Sequence, residues 1–465
     1  MTADIKPYPA YKDSGVPWLG RVPEHWGLRS LRASANVEKG RLPRSLVERG
    51  RQPEGSVPYL SMNYLRSVGE SPFEYAAYQP DLVLVDRGET ILLWDGANAG
   101  EFLKAKPGAV SSTAARVRPR AVDQQFFFYA CQQVEYTLRA LTVGMGIPHV
   151  DGDVLKGLSV VIPPETEQAA IVRYLDHADR KVRHAIHARQ QLIKLLTEQK
   201  QSVIQRAVTR GLDPNIHLKP SGLLWLGDVP KHWDVVKLRL LFQFTKGQRA
   251  SEITNEYVGQ HSGVFPVFSG QTENDGIMGM LSWHEFDCPI PVILVATVGA
   301  KAGTTRLVCG QFSLSQNCAL MIPRRVETNA AFFEYALQRL IDSERASMPL
   351  IMQPSLRFLD LNRFAVPCPP ACEQSAVVRY LDGATANLDK AIDAAHRGID
   401  LLREYRTRLI ADVVTGKLNV RGVKVPDDET DILPEGLEDI DDVDAADQGD
   451  DAAEGNSESS AEENT

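Results

Sequence analysis

Polar side chains that can bind phosphate groups or base edges recur beside glycines in both halves of this sequence. Lys39-Gly40 returns as Lys246-Gly247, 207 residues later. Lysine and arginine contact phosphates, whereas arginine, lysine, asparagine and glutamine also reach the edges of bases. Glycine in a tight turn lets the backbone approach a phosphate closely. These positions are therefore the first candidates for contact with a nucleic acid.

The same reasoning extends to other polar residues on predicted loops, for which an ordinary solvated loop residue is the alternative interpretation. Asn98 and Lys301 occupy matching places in two Gly-Ala-x-Ala-Gly turns. The full set of candidate DNA-binding residues is Lys39, Arg41, Asn63, Arg66, Asn98, Arg116, Lys246, Gln248, Gln271, Asn274, Lys301, Gln316 and Asn317. Tryptophans in the repeated segments are expected to pack in the core, because the bases of a duplex cannot stack on them without flipping.

Motifs that mark catalysis are missing from the sequence. It has no GxxxxGK[ST] phosphate loop and no Asn-Pro-Pro-[Tyr/Phe] tetrapeptide of the kind that holds a flipped adenine. Asp151 and Asp153 could hold a metal ion, but without a nearby Glu-x-Lys they are better interpreted as turn residues. The six cysteines are scattered, which favours reduced structural thiols. We expect no catalytic residue, metal or cofactor on this chain.

An internal repeat of about 206 residues is the strongest signal in the sequence. The segments 14–26 and 221–233 share Ser-Gly-x-x-Trp-Leu-Gly-x-Val-Pro-x-His-Trp, with nine of thirteen positions identical. Pro163-Pro164 and the following Glu167-Gln168 return 206 residues later. So many collinear matches of rare residues indicate a duplicated unit.

Each repeat begins with a mixed α/β region. Short apolar runs between glycines and prolines predict strands, and one longer amphipathic segment in each repeat predicts a helix. The predicted strands are 83–85, 91–94, 158–162 and 291–295, and the predicted helices are 126–141 and 330–345.

Each repeat ends with a long helix whose apolar residues recur at alternating spacings of four and three. The first seam comprises Ile171, Leu175, Ala178, Val182, Ala185, Leu192, Leu196 and Val203, and the second comprises Val377, Leu381, Ala384, Leu388, Ala391, Ala395, Leu402, Tyr405 and Leu409. Thr166 is expected to cap the first helix. A period of 3.5 residues predicts a coiled coil of helices roughly 65 Å long. The alternative is a pair of amphipathic helices that lie on their own domains.

Charge is distributed unevenly along the chain. Residues 427–465 hold 17 of the 60 acidic residues and no lysine or arginine, so the remainder has 51 basic and 43 acidic residues. A basic body fits binding to nucleic acid. The tail is expected to be disordered and to serve solubility, with mimicry of DNA as the alternative. The sequence has no membrane-spanning run and no apolar leader, so we expect a cytoplasmic protein.

The doubled Ser-Gly-x-x-Trp-Leu-Gly-x-Val-Pro-x-His-Trp segment, followed each time by Pro-Pro-x-x-Glu-Gln and a long helix, resembles the specificity subunits of type I restriction–modification enzymes. The resemblance covers about residues 12–420. It implies two target-recognition domains joined by two long antiparallel coiled-coil helices. The predicted segments are domain 1 at 1–162, spacer helix 1 at 163–212, domain 2 at 213–368, spacer helix 2 at 369–418 and the acidic tail at 427–465.

The resemblance also implies partners. Such a subunit binds double-stranded DNA at an asymmetric split target, and two methyltransferase subunits and restriction subunits join it. S-adenosylmethionine, ATP and magnesium are expected on those partners and not on this chain. Two other functions remain open from the residues alone: a coiled-coil scaffold that binds proteins, and a single-chain nuclease or methyltransferase with unrecognised motifs.

Overall fold

The computed structural model describes seven stretches of the chain. These are residues 6–48, 52–67, 71–144, 147–271, 273–298, 302–346 and 356–426. They form two compact units: unit 1 contains the described residues up to Gln191 and from Ala395 onward, and unit 2 contains those of Leu192–Ala394. The predicted acidic tail and Lys301 lie outside the described residues.

Unit 1 consists of short strands, four short or medium helices and parts of two long ones. Its strands are β1 (Tyr11–Asp13), β2 (Arg21–Pro23), β3 (Gly27–Ser30), β4 (Ala35–Lys39), β5 (Leu46–Glu48), β6 (Ser56–Leu60), β7 (Glu74–Ala77), β8 (Leu84–Val85), β9 (Thr90–Leu93), β10 (Phe102–Lys104), β11 (Gly108–Val110), β12 (Ala114–Pro119) and β13 (Ser159–Ile162). Its helices are α1 (Leu31–Ser34), α2 (Met62–Arg66), α3 (Gln124–Ala140), α4 (Gly152–Gly157), the first part of α5 (Glu165–Arg210) and the last part of α10 (Ala371–Val414).

Unit 2 repeats this plan with longer strands. Its strands are β14 (Leu218–Pro220), β15 (Asp228–Pro230), β16 (Asp234–Lys237), β17 (Phe242–Thr245), β18 (Ser262–Phe268), β19 (Ile277–Leu281), β20 (Phe286–Ala296), β21 (Thr305–Leu314), β22 (Cys318–Pro323) and β23 (Ala365–Cys368). Its helices are the last part of α5, α6 (Leu238–Leu241), α7 (Asn255–Gln260), a 3-10 turn (Glu273–Gly276), α8 (Ala330–Ala346), α9 (Phe358–Arg363) and the first part of α10.

The two units share one sheet framework. In unit 1 a four-stranded sheet has the order β10-β9-β12-β4, and in unit 2 the order β21-β20-β22-β17 corresponds to it. A parallel pair extends each framework: β6 with β11 in unit 1, and β18 with β21 in unit 2. The mixed α/β class and the internal pseudo-repeat predicted from sequence are therefore confirmed.

The frameworks differ in continuity for a local reason. In unit 2 the ten-residue strand β21 pairs with both β20 and β18, so one six-stranded sheet results. In unit 1 the equivalent run is divided into β10 and β11, and Pro107 stands between them. Proline has no backbone N–H to donate to a sheet ladder, so it favours a break at this position.

A phenylalanine-rich helix anchors the core of each unit. The side chain of Asp123 caps α3 by accepting from the backbone N–H of Phe126 at 2.8 Å. Phe126 and Phe127 are fully buried, as are Phe332 and Phe333 on α8. Their spacing along each helix, with later apolar residues at three- and four-residue intervals, gives one continuous buried face. Both predicted helices are confirmed within two residues.

The long helices α5 and α10 are 46 and 44 residues long, and they pack antiparallel within each unit. In unit 1, Asp179 accepts hydrogen bonds from Arg406, and the side chain of Arg189 lies over Gly398. In unit 2, Lys200 Nζ lies 2.5 Å from Asp389 Oδ1.

The predicted seams are correct at the start of each long helix and wrong at several later positions. Ile171, Leu175 and Val182 are buried, but Ile186 is buried in place of the predicted Ala185. Leu192 is 47% exposed, although the seam predicted it inside. On α10 the predicted seam residue Tyr405 is 39% exposed. A second correction concerns the helix start: α5 begins at Glu165, so Thr166 is its second residue and not its cap. Pro163 and Pro164 already set the turn into the helix.

Two general features complete the fold. All six cysteines are free thiols, as expected from their spacing. Across the described stretches, no helix combines the length and the apolar character that a membrane crossing needs.

Candidate nucleic-acid interface

Three loops of unit 1 meet at the edge where β4 and β9 end. Lys39, the last residue of β4, lies with Nζ 2.9 Å from Asp95 Oδ2 and 5.6 Å from the ring centroid of Trp94. The backbone N–H of Trp94 donates to the carbonyl of Thr113 at 2.8 Å, which joins the loop after β9 to the loop before β12. A Cβ on Gly40 would overlap the carbonyl of Ser111, so only glycine fits this approach.

Unit 2 builds the same junction from different side chains. The N–H of Thr297 donates to the carbonyl of Asn317 at 2.7 Å, in the place of the bond from Trp94 to Thr113. Lys246 Nζ donates to the carbonyl of Gln316 at 3.2 Å. Gln316 and Asn317 are exposed. The structure thus brings Lys246, Gln316 and Asn317 together. In unit 1, Lys39 is paired with Asp95, which immediately precedes the glycine turn that contains Asn98.

The other candidates in unit 1 vary in how firmly they are held. Arg66 pairs with Glu101 at 2.5 Å, and both side chains are largely buried, at 17% and 15% exposed. Arg116 donates to the carbonyl of Leu84 at 2.7 Å and pairs with Glu38 at 2.5 Å. These intramolecular bonds give both arginines a structural role in unit 1.

Arg41 and Asn63 are more accessible. Arg41 pairs with Asp81 at 3.2 Å, and its side chain is 61% exposed. Asn63 lies exposed on the short helix α2. Asn98 is half-buried in its glycine turn, where its carbonyl accepts from the N–H of Glu101.

The remaining candidates of unit 2 lie on two turns. The backbone N–H of Gln248 donates to the carboxylate of Glu285. The side chains of Gln271 and Asn274 both donate to the carbonyl of Ile277 at 3.0 Å, and Asn274 has a positive φ of 47°. Lys301 lies outside the described residues. The individual DNA contacts therefore remain predictions.

Two glutamates that were not among the predicted DNA-binding residues join each α/β region to its long helix, one in each unit. Glu167, in the first turn of α5, accepts from Trp26 Nε1 at 2.9 Å and from the hydroxyl of Tyr8 at 3.1 Å. It also lies 2.7 Å from His25 Nε2 and 3.3 Å from the guanidinium of Arg421. In unit 2, Glu373 binds His232 at 2.7 Å and Trp233 at 2.9 Å in the same way. We call these two constellations the glutamate anchors.

The two glutamate anchors differ in how deeply the carboxylate is buried. The Glu167 side chain is 8% exposed, whereas that of Glu373 is 38% exposed. Burial of Glu167 acts to raise its pKa, but the bonds from His25 and Trp26 and the charge of Arg421 act more strongly, so the pKa is lowered overall. The signal for this pair was present in the sequence, because His-Trp and Glu-Gln recur together at nearly the same offset.

The neighbouring glutamines repeat as well. Gln168 accepts from the N–H of Asp123 at 2.8 Å, and Gln374 accepts from the N–H of Asn329 at 2.9 Å. Each therefore ties the start of the long helix to the cap of the core helix, α3 or α8. The repeated Glu-Gln pairs are positioning residues of the fold.

The suggested metal ligands have a structural role. Asp151 caps α4 by accepting from the N–H groups of Asp153 and Val154, at 2.8 and 3.3 Å. Among the described residues no group of three or more His, Cys, Asp or Glu is arranged to hold a metal ion.

Comparison with known proteins shows a similarity to one family. Residues 23–195 match the Type I restriction modification DNA specificity domain. The chain is 25% identical to the type I restriction enzyme MjaVIII specificity subunit of Methanocaldococcus jannaschii, over 87% of this chain and 95% of that protein.

A solved structure supports the fold. A chain from a study of complex assembly and conformational transition in the type I R-M system matches with a TM-score of 0.60 and 17% identity, over 85% of this chain and 99% of that one. The duplicated framework, its two long helices and these likenesses agree. Residues 23–195 therefore match a type I specificity domain, and most of the chain is similar to a type I specificity subunit.

Proposed function

We propose that this chain is the DNA-recognition subunit of a type I restriction–modification enzyme and that it performs no catalysis. The observation that carries the proposal is the junction of loops described above, which both units build on one framework with different side chains. Lys39 and Trp94 stand where unit 2 has Lys246 and Thr297. A shared framework with different loop residues suits two regions that each recognise a different DNA sequence.

The target follows from this difference. Two unlike readers in one chain should select an asymmetric site made of two short half-sites with an unread spacer between them. Half-sites on one face of B-DNA lie roughly 34 Å, or one helical turn, apart. The long helices α5 and α10 are the proposed spacer elements.

The proposed partners are two methyltransferase subunits and the restriction subunits. Apolar side chains on the long helices are available for such docking: Leu195 on α5 is 61% exposed, and Leu401 on α10 is 65% exposed. Contiguous apolar patches, rather than single exposed leucines, mark sites for contact with another protein, so these two side chains are the positions to test by substitution. S-adenosylmethionine, ATP and magnesium would be held by those partners.

Sequencing of DNA methylated by the reconstituted complex tests the function directly. The chain would be combined with its two methyltransferase subunits, supplied with S-adenosylmethionine and plasmid DNA, and the modified bases mapped. We expect one asymmetric split motif with a non-specific gap. A continuous or palindromic motif would contradict two unlike readers. Methylation by the chain without its partners would favour the single-chain enzyme, and absence of sequence-selective DNA binding by the complex would favour the scaffold.

Replacing Lys39 or Lys246 with alanine should weaken DNA binding by the complex without changing the preferred sequence. Each lysine is proposed to contact a phosphate, so each loss should reduce the slope of log affinity against log salt by about one. Lys156→Ala, on α4 and 54% exposed, is the control and should leave the slope unchanged. Titration of labelled duplex at several salt concentrations measures the effect, and unchanged slopes in both variants would remove these lysines from the interface.

A further inference from the structure

A charged cleft in unit 1 lies apart from the junction of loops. It has a volume of about 790 Å³. It lies between β10 and α3 on one side and residues 173–183 of α5 on the other, with Arg406 of α10 at its wall. Seven basic and four acidic side chains line it. The cleft is therefore a polar cavity with an excess of positive charge.

The acidic side chains of the cleft are already engaged. Asp179 forms an ion pair with Arg183 and accepts a hydrogen bond from Arg406. Asp176 accepts from the hydroxyl of Tyr129 at 2.7 Å. Glu101 is paired with Arg66, as described above. Burial raises the pKa of Glu135 to about 7, so its negative charge is reduced near neutral pH.

Two cations of the cleft remain open to a ligand. Neither Lys104 nor Arg180 forms an ion pair within the part of the chain that the structure describes. Lys104 Nζ lies 5.2 Å from the ring centroid of Phe128, so it is held at the cleft by a cation–π contact. A flexible anion entering the cleft would meet these two groups.

An acidic segment of the chain begins beside this cleft. Arg173, which lines the cleft, donates from Nη2 to the carbonyl of Val425 at 2.7 Å, and Val425 is buried. Residues 427–465 begin two positions later and contain 17 acidic residues with no basic one. The tail therefore starts at the edge of the cleft.

We propose that the acidic segment 427–465 binds in the charged cleft of unit 1 and acts as its intramolecular occupant. Attachment at the edge of the cleft gives a short tethered segment an effective concentration on the order of millimolar. DNA phosphates or an acidic surface of another subunit have suitable charge, but neither has this attachment. The bound segment would compete with other anions for the cleft, and salt would weaken its binding by screening the charges.

Zero-length carbodiimide cross-linking of the full-length chain tests the proposal, because it joins lysine amines to carboxylates in direct contact. We expect cross-links from the tail to Lys104 to exceed those to Lys39 and Lys156 at least fivefold, after correction for the acetylation rate of each lysine. In 1 M NaCl the excess should vanish. Lys424 is left out of the comparison because it adjoins the tail in sequence.

Two full-length variants provide the matched control. Arg180→Glu should reduce the cross-links to Lys104 several-fold, whereas Lys181→Glu, an exposed neighbour on α5 that does not line the cleft, should leave them unchanged. Equal cross-linking at all three lysines, or equal effects of the two variants, would overturn the proposal. So would an absence of tail cross-links together with protection of Lys104 from acetylation by added duplex DNA, which would assign the cleft to DNA.

Discussion

Replacement of Glu167 with alanine should destabilise unit 1 by about 3 kcal/mol, because it leaves two buried donors without an acceptor. Trp26 Nε1 and the hydroxyl of Tyr8 both donate to this carboxylate, and both residues are almost completely buried. Arg421 would lose its partner as well. Hydrogen exchange resolved by segment measures the effect, since it reports the opening of each unit separately.

Glu373→Ala is the matched control for this prediction. It removes the equivalent bonds to His232 and Trp233, but the carboxylate is 38% exposed and water can replace it. The expected cost is about 1 kcal/mol. Equal losses in the two variants would contradict the role assigned to burial.

The glutamate anchor of unit 1 also carries a pH dependence. The pKa of Glu167 is lower in the folded state than its ordinary value, so its stabilisation is present above the unfolded pKa of about 4.3 and is lost as pH falls through the folded pKa. The difference in stability between the wild type and Glu167→Gln should therefore shrink below about pH 4. A constant difference down to pH 3 would contradict this assignment.

Replacement of Gly416 with alanine should destabilise unit 1 by about 2–4 kcal/mol, through both backbone strain and overlap. Gly416 follows the end of α10 with a positive φ of 77°, a conformation that suits the glycine of a helix C-terminus. An added Cβ would overlap the ring of Pro23 and lie 3.1 Å from Trp26 Cζ3. Denaturant unfolding followed by hydrogen exchange in β2 and β3 measures the effect.

Alanine substitutions at two other glycines serve as controls for the effect of Gly416→Ala. Gly211 ends α5 with a φ of 72°, but its Cβ would meet only Trp233, at 3.2 Å, so alanine should cost about 1–2 kcal/mol in unit 2. Gly422 has open space around it and an ordinary φ, and alanine should change stability by less than about 0.5 kcal/mol. A Gly416→Ala effect no larger than that at Gly422 would show that the contact with Pro23 is easily relieved.

The duplicated architecture could be predicted from the sequence because repetition and periodicity are carried by local patterns. Trp26 and Trp233 recur with their histidines, and both proved fully buried. The helices α3 and α8 could be located from apolar spacing alone. The long helices were found for the same reason, since a regular seam extends over many turns.

Sheet continuity and the middle of the long helices were less predictable. Strand pairing depends on residues far apart in sequence, so the single strand β21 and the divided β10 and β11 could not be distinguished by pattern. A strict heptad also assumes a partner at every turn. Leu192 is exposed in the structure, and the heptad pattern could not show that this position would face solvent.

The candidate site was only partly predictable, because residue type does not reveal a residue's partner. Arg66 and Arg116 have the side chains expected of DNA readers, yet each is bound to a carboxylate of its own unit. Lys39 and Lys246 were chosen because they recur beside glycines, and the structure places both at the junction of loops. Glu167 and Glu373 were overlooked as a pair because their partners are about 140 residues away.

The division of unit 1 into two runs of chain has a consequence for synthesis on the ribosome. Leu192–Ala394 form unit 2 as one run, so they can fold as they emerge, whereas Ile171 and Leu175 share their core with Leu409 and Val413. At about 5–20 residues per second, the ribosome makes Leu409 and Val413 roughly 12–48 s after Ile171 and Leu175. During that interval newly made apolar surface stays uncovered, so yield in a heterologous host should depend on chaperone supply and on growth temperature.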